Sequence, residues 1–587
     1  MVQASEVYRQ SDRPAVALIS NHGYAGVEIP LGGAPDTGGQ NLYVNSLAEA
    51  LDRLGYRVTV FTRGGFPHFG NGRIREEEEF LTDHIRYVYV PGGGNTFIRK
   101  EDIAVALDEE VDWIDAFIRQ EAAQRGLPPW AIYEFVNTHY WDAAVLGTRL
   151  VERWRNDTVA NVISKLFEKA TPPEKMKQLS EERHWRALGE APTYHIGRFL
   201  IDSADSASVS LVERVRDAVK SYAWATGLNE AKAIKEVVES AEEALEVAKN
   251  RTAPALHEIV VSDAIGAAIL RLFPRQAQWL QSDLETVDRH VWTPHSLGSL
   301  KQENFRDQPP EVCRALKFCE RRSHERTVCD RTSAFAATSF EIAERLRTHY
   351  RVPGERIFYF PPCVDTTVFR CYADDEVSAT YDYLSKLSGV AAEKLKSAVI
   401  VFETSRMDQT KRKDILLDAF AGVAREREDV YLFIGGGPEN ELFQALTARR
   451  DANDPLKGRA FLTGFIPDEH IAPLFSVADM YVSPSEMEGF GMSVLQAAAS
   501  GTAVVSSHLT PFAVRYVPQD AIIVRAGEVD GFARAMRQLI DHEVDRRQRA
   551  ERLRAKAQEL NWEVQTDNFL GHLRQRGFSI ARGRVGP

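Results

Sequence analysis

Two adjacent glycines, Gly38 and Gly39, stand where an amphipathic helical pattern opens, in the stretch Pro35-Asp36-Thr37-Gly38-Gly39-Gln40. Lacking side chains, they let backbone N–H groups approach a phosphate, and a helix N-terminus favours its negative charge. By itself such a pair is equally a plain turn. Arg406 and Lys411 follow the β-branched run Ala398-Val-Ile-Val-Phe-Glu-Thr404. Two cations at a strand's carboxyl end can clamp a diphosphate and stabilise the charge of a departing phosphate oxygen. Out of context a solvated surface loop is the favoured reading. The most specific stretch runs from Ser485 through Glu488-Gly489-Phe490-Gly491 and Gln496 to Gly501. Its glycines permit close packing on a ligand, and Glu488 can accept hydrogen bonds from sugar hydroxyls. Arg99-Lys100 and Arg321-Arg322 are basic pairs suited either to an anion or to solvent.

These residues need a scaffold, and the hydrophobic pattern supplies one. Ala15–Ser20, Arg57–Arg63 and the run Ile-Arg-Tyr-Val-Tyr-Val read as strands, with a helix over Asn-Leu-Tyr-Val-Asn-Ser-Leu-Ala-Glu-Ala-Leu. The alternation predicts parallel βαβ units. It resumes in the second half with strands at Val-Ile-Val-Phe, Val-Tyr-Leu-Phe-Ile, Ala-Phe-Leu-Thr, Met-Tyr-Val-Ser and Ala-Val-Val-Ser. Two such units leave a crevice between strand carboxyl ends, where open α/β sheets bind ligands. Between Val151 and Arg289 strand signals vanish. Val212, Val215, Val219 and Tyr222, then Ile234, Val238, Ala241 and Leu245, recur at helical spacing opposite charged faces. This is a large all-helical insertion in the first α/β unit, because strand signals return at His-Val-Trp-Thr and Phe-Ala-Ala-Thr. A shorter helical piece is expected near 374–396.

At 587 residues the chain exceeds one core. Its net charge of −12, with acidic and basic residues interleaved, excludes a broad nucleic-acid surface. Five cysteines without a Cys-x-x-Cys pair fit a reducing compartment, and Cys319, His324 and Cys329 lack zinc-finger spacing. No window approaches the run of about 20 apolar residues of a spanning helix. The N-terminal stretch lacks a signal-peptide apolar region. A cytoplasmic location is the expectation.

Taken together and in this order, the motifs resemble the retaining glycosyltransferases of family 4, with the two-domain GT-B fold, and most closely the sucrose synthase and sucrose-phosphate synthase branch. The resemblance rests on Ser20-Asn-His22-Gly23, Asp36-Thr-Gly-Gly-Gln40, Thr138-His139-Tyr140-Trp-Asp142-Ala143, His295-Ser-Leu-Gly298 followed by Lys301, Arg321-Arg322, Ser339-Phe-Glu341 and Pro361-Pro-Cys-Val-Asp365. It covers about 14–145 and 290–568, leaving the helical insertion unmatched. Starch and glycogen synthases usually carry Lys-x-Gly-Gly-Leu where this chain has Asp-Thr-Gly-Gly-Gln.

The resemblance implies two Rossmann-like domains facing a cleft. The expected boundaries are 1–150 and 290–372 for the amino-terminal domain, 151–289 for the insertion, 373–562 for the nucleotide-sugar domain and 563–587 for a terminal helix and tail. It implies transfer of a hexose to a small sugar or sugar-phosphate acceptor, without metal or cofactor and with UDP-glucose as the expected donor. His139, Arg406, Lys411 and Glu488 take catalytic roles. Gly38, Gly39, Gln40, Gly489, Phe490, Gly491 and Gln496 bind the donor, and Lys100, His295, Arg321 and Arg322 the acceptor. Two positions depart from the pattern: Gln496 stands for the family's second glutamate, and Cys363 for a glycine. The alternatives are a non-catalytic nucleotide-sugar sensor or scaffold, motivated by Gln496 and the insertion, and a mannosyl- or glucosyltransferase acting on another acceptor. The insertion reads as a structural or self-associating bundle, with a gating lid as the other reading.

Overall fold

The computed structural model describes residues 2–30, 34–171, 174, 192–203, 210–252, 256–306 and 308–584. The amino-terminal sheet comprises β1 (Ala15–Ser20), β2 (Arg57–Arg63), β3 (Glu79–Thr82), β4 (Ile85–Val90), β5 (Val136–His139), β6 (His290–Thr293), β7 (Ala334–Ala337) and β8 (Ile357–Tyr359). Their order is β3-β4-β2-β1-β5-β6-β7-β8, parallel except for β3 at the edge. β1, β2 and β4 are buried along their whole length: β1 is a near-continuous apolar run, and β2 and β4 also enclose Arg57, Arg63 and Arg86 through their hydrogen bonds.

The second sheet has β9 (Val399–Thr404), β10 (Val430–Gly435), β11 (Ala460–Gly464), β12 (Met480–Ser483), β13 (Ala503–Ser507) and β14 (Ile522–Val524), in the order β11-β10-β9-β12-β13-β14. Each sheet has one switch point, between β1 and β5 and between β9 and β12. These are the places where such sheets bind ligands.

The helical region is rooted at the first switch point. Helix Tyr140–Phe167 starts directly after β5 and runs 28 residues without a break. Its first turns pack in the sheet core with Trp292 and Phe335, and its last turns pack with Phe199, Val219, Val237 and Ile265 of the bundle. The expected border at Val151 therefore lies inside one helix. Helices Pro192–Ser203, Leu211–Thr226, Glu230–Arg251 and His257–Leu272 complete the bundle, and Pro274–Val287 returns to β6. Helix Trp562–Gln575 crosses back to the amino-terminal domain, where Trp562, Phe569, Leu570 and Leu573 join the core of β1, β2 and β4.

Candidate functional site

β5 ends on His139, whose Cα is in register with Ser20 of β1 and Thr293 of β6. The three segments that leave these strands, two loops carrying His22 and His295 and the helix start at Tyr140, therefore converge by strand order alone. His139 and His295 share a hydrogen bond of 3.1 Å between Nδ1 and Nε2. Burial, and then His295, hold the His139 imidazole well below its ordinary pKa, so it is neutral near pH 7. Its Nε2 is buried and meets no hydrogen-bond partner among the described residues. A buried orphan of this kind is what a ligand hydroxyl would satisfy. Tyr43 backs the pair, with its ring edge-on to His295 at 4.8 Å and to Trp562 at 4.7 Å.

The other half of the site comes from β9 and β12. The loop after β9 carries Arg406 and Lys411, and the loop after β12 carries Glu488. Lys411 Nζ donates to Glu488 Oε1 at 2.7 Å, and Glu486 N donates to the Thr410 carbonyl at 2.8 Å. Lys411 and Glu488, assigned separately from sequence, form one unit. Arg406 is not part of it: the side chain is 80% exposed, with Asp408 at 3.6 Å. Below the loop, buried Lys413 donates to Glu403 at 2.6 Å and to the Gly435 carbonyl at 2.7 Å, tying β9 to β10. Sequence reading gave Lys413 no role, although a cation two positions past Lys411 at a helix start was visible.

Between the domains lies a cavity of about 660 Å³ lined by Gly39, Gln40 and His295 from one side and by Gly489, Phe490 and Gln496 from the other. A Cβ built on Gly38, Gly39 or Gly489 would meet no atom within 4 Å, so packing does not require glycine at these positions. Gly491 differs, since its φ of 100° and the nearby Thr510 both demand glycine. Cys363 also lines the cavity, its thiol bonded to the Pro361 carbonyl at 3.2 Å. The loop around it is fixed by Tyr43 Oη on the Phe360 carbonyl and by Val364 N on the Leu560 carbonyl.

A second cavity, of about 210 Å³, is lined by Arg99, Lys100, Lys301, Lys317 and Arg321, with Glu101 and Glu320, against Trp141 and Phe318. Lys301 lines both cavities. Lys100 is ion-paired with Asp36, and its backbone N–H donates to the same carboxylate at 2.9 Å. Burial opposes its charge, but Asp36 and Glu101 outweigh burial and raise its pKa. Arg321 donates to Glu325 at 2.8 Å, to Tyr140 Oη at 2.7 Å, and to the Ser296 carbonyl and hydroxyl at 2.7 and 3.1 Å. Arg322 donates instead to Gln302 at 2.8 Å. His22 is a further member that sequence reading left without a role. It is held by Asp142 at 3.0 Å, which outweighs burial and raises its pKa.

Two α/β sheets of largely parallel strands, with a cavity between them lined by open glycine backbone from both domains, make up the GT-B fold. Residues 398–542 match the family described as Glycosyl transferases group 1. The chain is 24% identical over 519 residues to the mannosylfructose-phosphate synthase of Agrobacterium fabrum, covering 86% of this chain and 78% of that protein. It is 28% identical over 246 residues to a D-inositol 3-phosphate glycosyltransferase of Jonesia denitrificans, a match that spans 40% of this chain and 53% of that relative. Among solved structures, sucrose-phosphate synthase from Thermosynechococcus elongatus superposes with a TM-score of 0.56 at 18% identity, covering 97% of this chain and all of that one. Anabaena HepE in complex with UDP superposes with a TM-score of 0.51 at 12% identity, covering 96% and 100%. With the group 1 match confined to residues 398–542, these likenesses make the chain a glycosyltransferase that takes a sugar from a nucleotide-sugar donor. No described helix is long and apolar enough to cross a membrane.

Proposed function

We propose that the chain is a retaining, metal-independent hexosyltransferase that passes glucose or a related hexose to a sugar phosphate. The observation that carries the acceptor is the junction at Lys301. A cavity lined by five basic residues and only two acidic ones, Glu101 and Glu320, opens beside the donor cleft, and one ammonium serves both. A phosphate monoester in the basic pocket would leave its sugar hydroxyls directed at the cleft. The names of the Agrobacterium and Thermosynechococcus proteins support the same acceptor class.

In this reading the donor diphosphate lies on the bare backbone of Gly38, Gly39 and Gly489, at the start of helix Gly39–Arg53. The orphan Nε2 of neutral His139 takes a hydroxyl of the transferred hexose. Glu488, oriented by Lys411, takes others. As the glycosidic bond breaks, Lys411 neutralises the leaving phosphate oxygen, with Arg406 brought in from its exposed loop. That oxygen receives the acceptor's proton on the same face, which retains configuration. Gln496 contacts the ribose through its amide oxygen, more weakly than a carboxylate would.

The test is nucleoside diphosphate release from UDP-glucose, ADP-glucose and GDP-mannose, each with fructose, fructose 6-phosphate and water, in EDTA. Release dependent on one donor and on fructose 6-phosphate is expected. Nucleotide binding with no release from any pair would overturn the transferase reading in favour of a sensor. Activity abolished by EDTA would remove metal independence.

A further inference from the structure

Tyr140 departs from ordinary backbone geometry at the centre of this site. Its φ is +75°, in the left-handed region, where a bulky aromatic residue is a genuine outlier. Strain of this kind persists only where the surroundings over-determine it, and it gathers at functional sites. Here the constraints are visible. The Tyr140 carbonyl accepts from Trp292 Nε1 at 2.9 Å, and the side chain is buried. The preceding residue is His139, which is fully enclosed and hydrogen-bonded to His295 of the cleft wall.

The phenol looks the other way, to the basic pocket. Its oxygen accepts from Arg321 at 2.7 Å, and the guanidinium carbon also lies 4.4 Å from the ring centroid. Lys301 Nζ stands 5.7 Å from the same ring, and the His22 ring meets it edge-on at 4.5 Å. Burial would raise the phenol's pKa, but Arg321, Lys301 and His22 overcome it and bring it down to about 8. The hydrogen bonds to Glu325, Tyr140 and Ser296 use four of Arg321's five N–H donors and leave one on Nη1. Tyr140 is thus what orients the nitrogen that keeps a free donor.

We propose that Tyr140 is a positioning residue for acceptor anchoring, setting Arg321 through its hydroxyl and Lys301 through its ring face for a phosphate, while its forced backbone places His139. The inference rests on the acceptor reading above. Tyr140 touches neither the reacting bond nor the donor in this scheme. It links two binding events that occur on opposite sides of one residue.

The experiment is steady-state kinetics with fructose 6-phosphate on the full chain, comparing wild type, Tyr140→Phe, Arg321→Lys and the double variant, with fructose as the unphosphorylated control. Tyr140→Phe keeps the ring and removes the oxygen that orients Arg321. KM for fructose 6-phosphate is expected to rise about tenfold, the loss of one hydrogen bond to a charged group, with a much smaller change in kcat. In the Arg321→Lys background the same change should add nothing. An unchanged KM in Tyr140→Phe, or additive effects in the double variant, would overturn the inference. Should Tyr140→Phe fail to fold by circular dichroism, Arg321→Lys alone still decides, because an unaltered KM there removes the route through which Tyr140 acts. Wild type that uses fructose as well as fructose 6-phosphate would instead overturn the acceptor reading.

Discussion

Lys411 and Glu488 stand 77 residues apart in sequence and 2.7 Å apart in space. The pairing holds the ammonium on the cleft side of β9 before any donor arrives, so little reorganisation is left for the transition state. Replacing Lys411 with Ala should lower kcat about 10²–10³-fold, the usual effect of losing one preorganised charge stabiliser, with far-UV circular dichroism unchanged. Single-turnover measurements would separate this from slow product release. Retained turnover would undo the assignment of Lys411. Gly39 makes a complementary case. Its Cβ position is open, so Gly39→Ala should leave the melting temperature within a degree or two of wild type while weakening donor binding at least about tenfold. Calorimetric titration with UDP and a thermal melt of the same sample would test both halves. A melting temperature that fell along with affinity would mean the glycine serves the fold.

The bundle is built on a close helix crossing. A Cβ on Gly266 of helix His257–Leu272 would collide with the Thr193 carbonyl, and one on Gly197 with the Ser262 carbonyl. Gly266→Ala should therefore cost about 1–3 kcal/mol of stability, as overpacking does, in spite of alanine's better helix propensity. Urea denaturation read by tryptophan fluorescence would show it, and a neutral or stabilising effect would refute the crossing. At this scale much of the fold was legible. Buried parallel strands such as Arg57–Arg63 and Val430–Gly435 are rich in β-branched and aromatic residues. The edge strand Glu79–Thr82 was not, because an edge strand carries charge and little apolar signal. The border of the insertion could not be read either, since helix Tyr140–Phe167 keeps one continuous pattern from the site into the bundle. Local glycine and cation motifs were legible as motifs. The pairs His139–His295 and His22–Asp142, 156 and 120 residues apart, were not, because only strand order brings them together. The spacing of Arg321 and Glu325 on one helix could have shown that arginine to be committed.

Across the whole molecule, buried histidines make stability depend on pH with a definite sign. Burial pushes His290 down to about 3, and burial followed by His295 holds His139 well below 6.5. Both are fully enclosed. A histidine depressed in the native state contributes stability that is complete above the unfolded value of about 6.5 and declines as pH falls toward the folded one, because the unfolded chain takes up the proton first. Each contributes a slope of up to about 1.4 kcal/mol per pH unit in that window. His295 is also brought down to about 3, but it borders the cleft, so water there reduces its share. His22 runs the other way. Asp142 raises it, so its stabilisation is present below 6.5 and fades as pH rises through its folded value. Glu110 opposes the enclosed histidines, because burial pushes its carboxyl up to about 8 and the native state keeps a proton that the unfolded chain loses. Below pH 6.5 the two enclosed neutral histidines outweigh this one carboxyl, and the urea midpoint should fall between pH 6.5 and 5.5. His290 sits on β6 outside the cleft, bonded to Thr138 at 2.9 Å, so His290→Gln removes one titrating group and should flatten that fall. A midpoint that held steady to pH 5.5 in wild type would mean these rings are solvated in solution, and the neutral His139 of the proposed sugar contact would go with them.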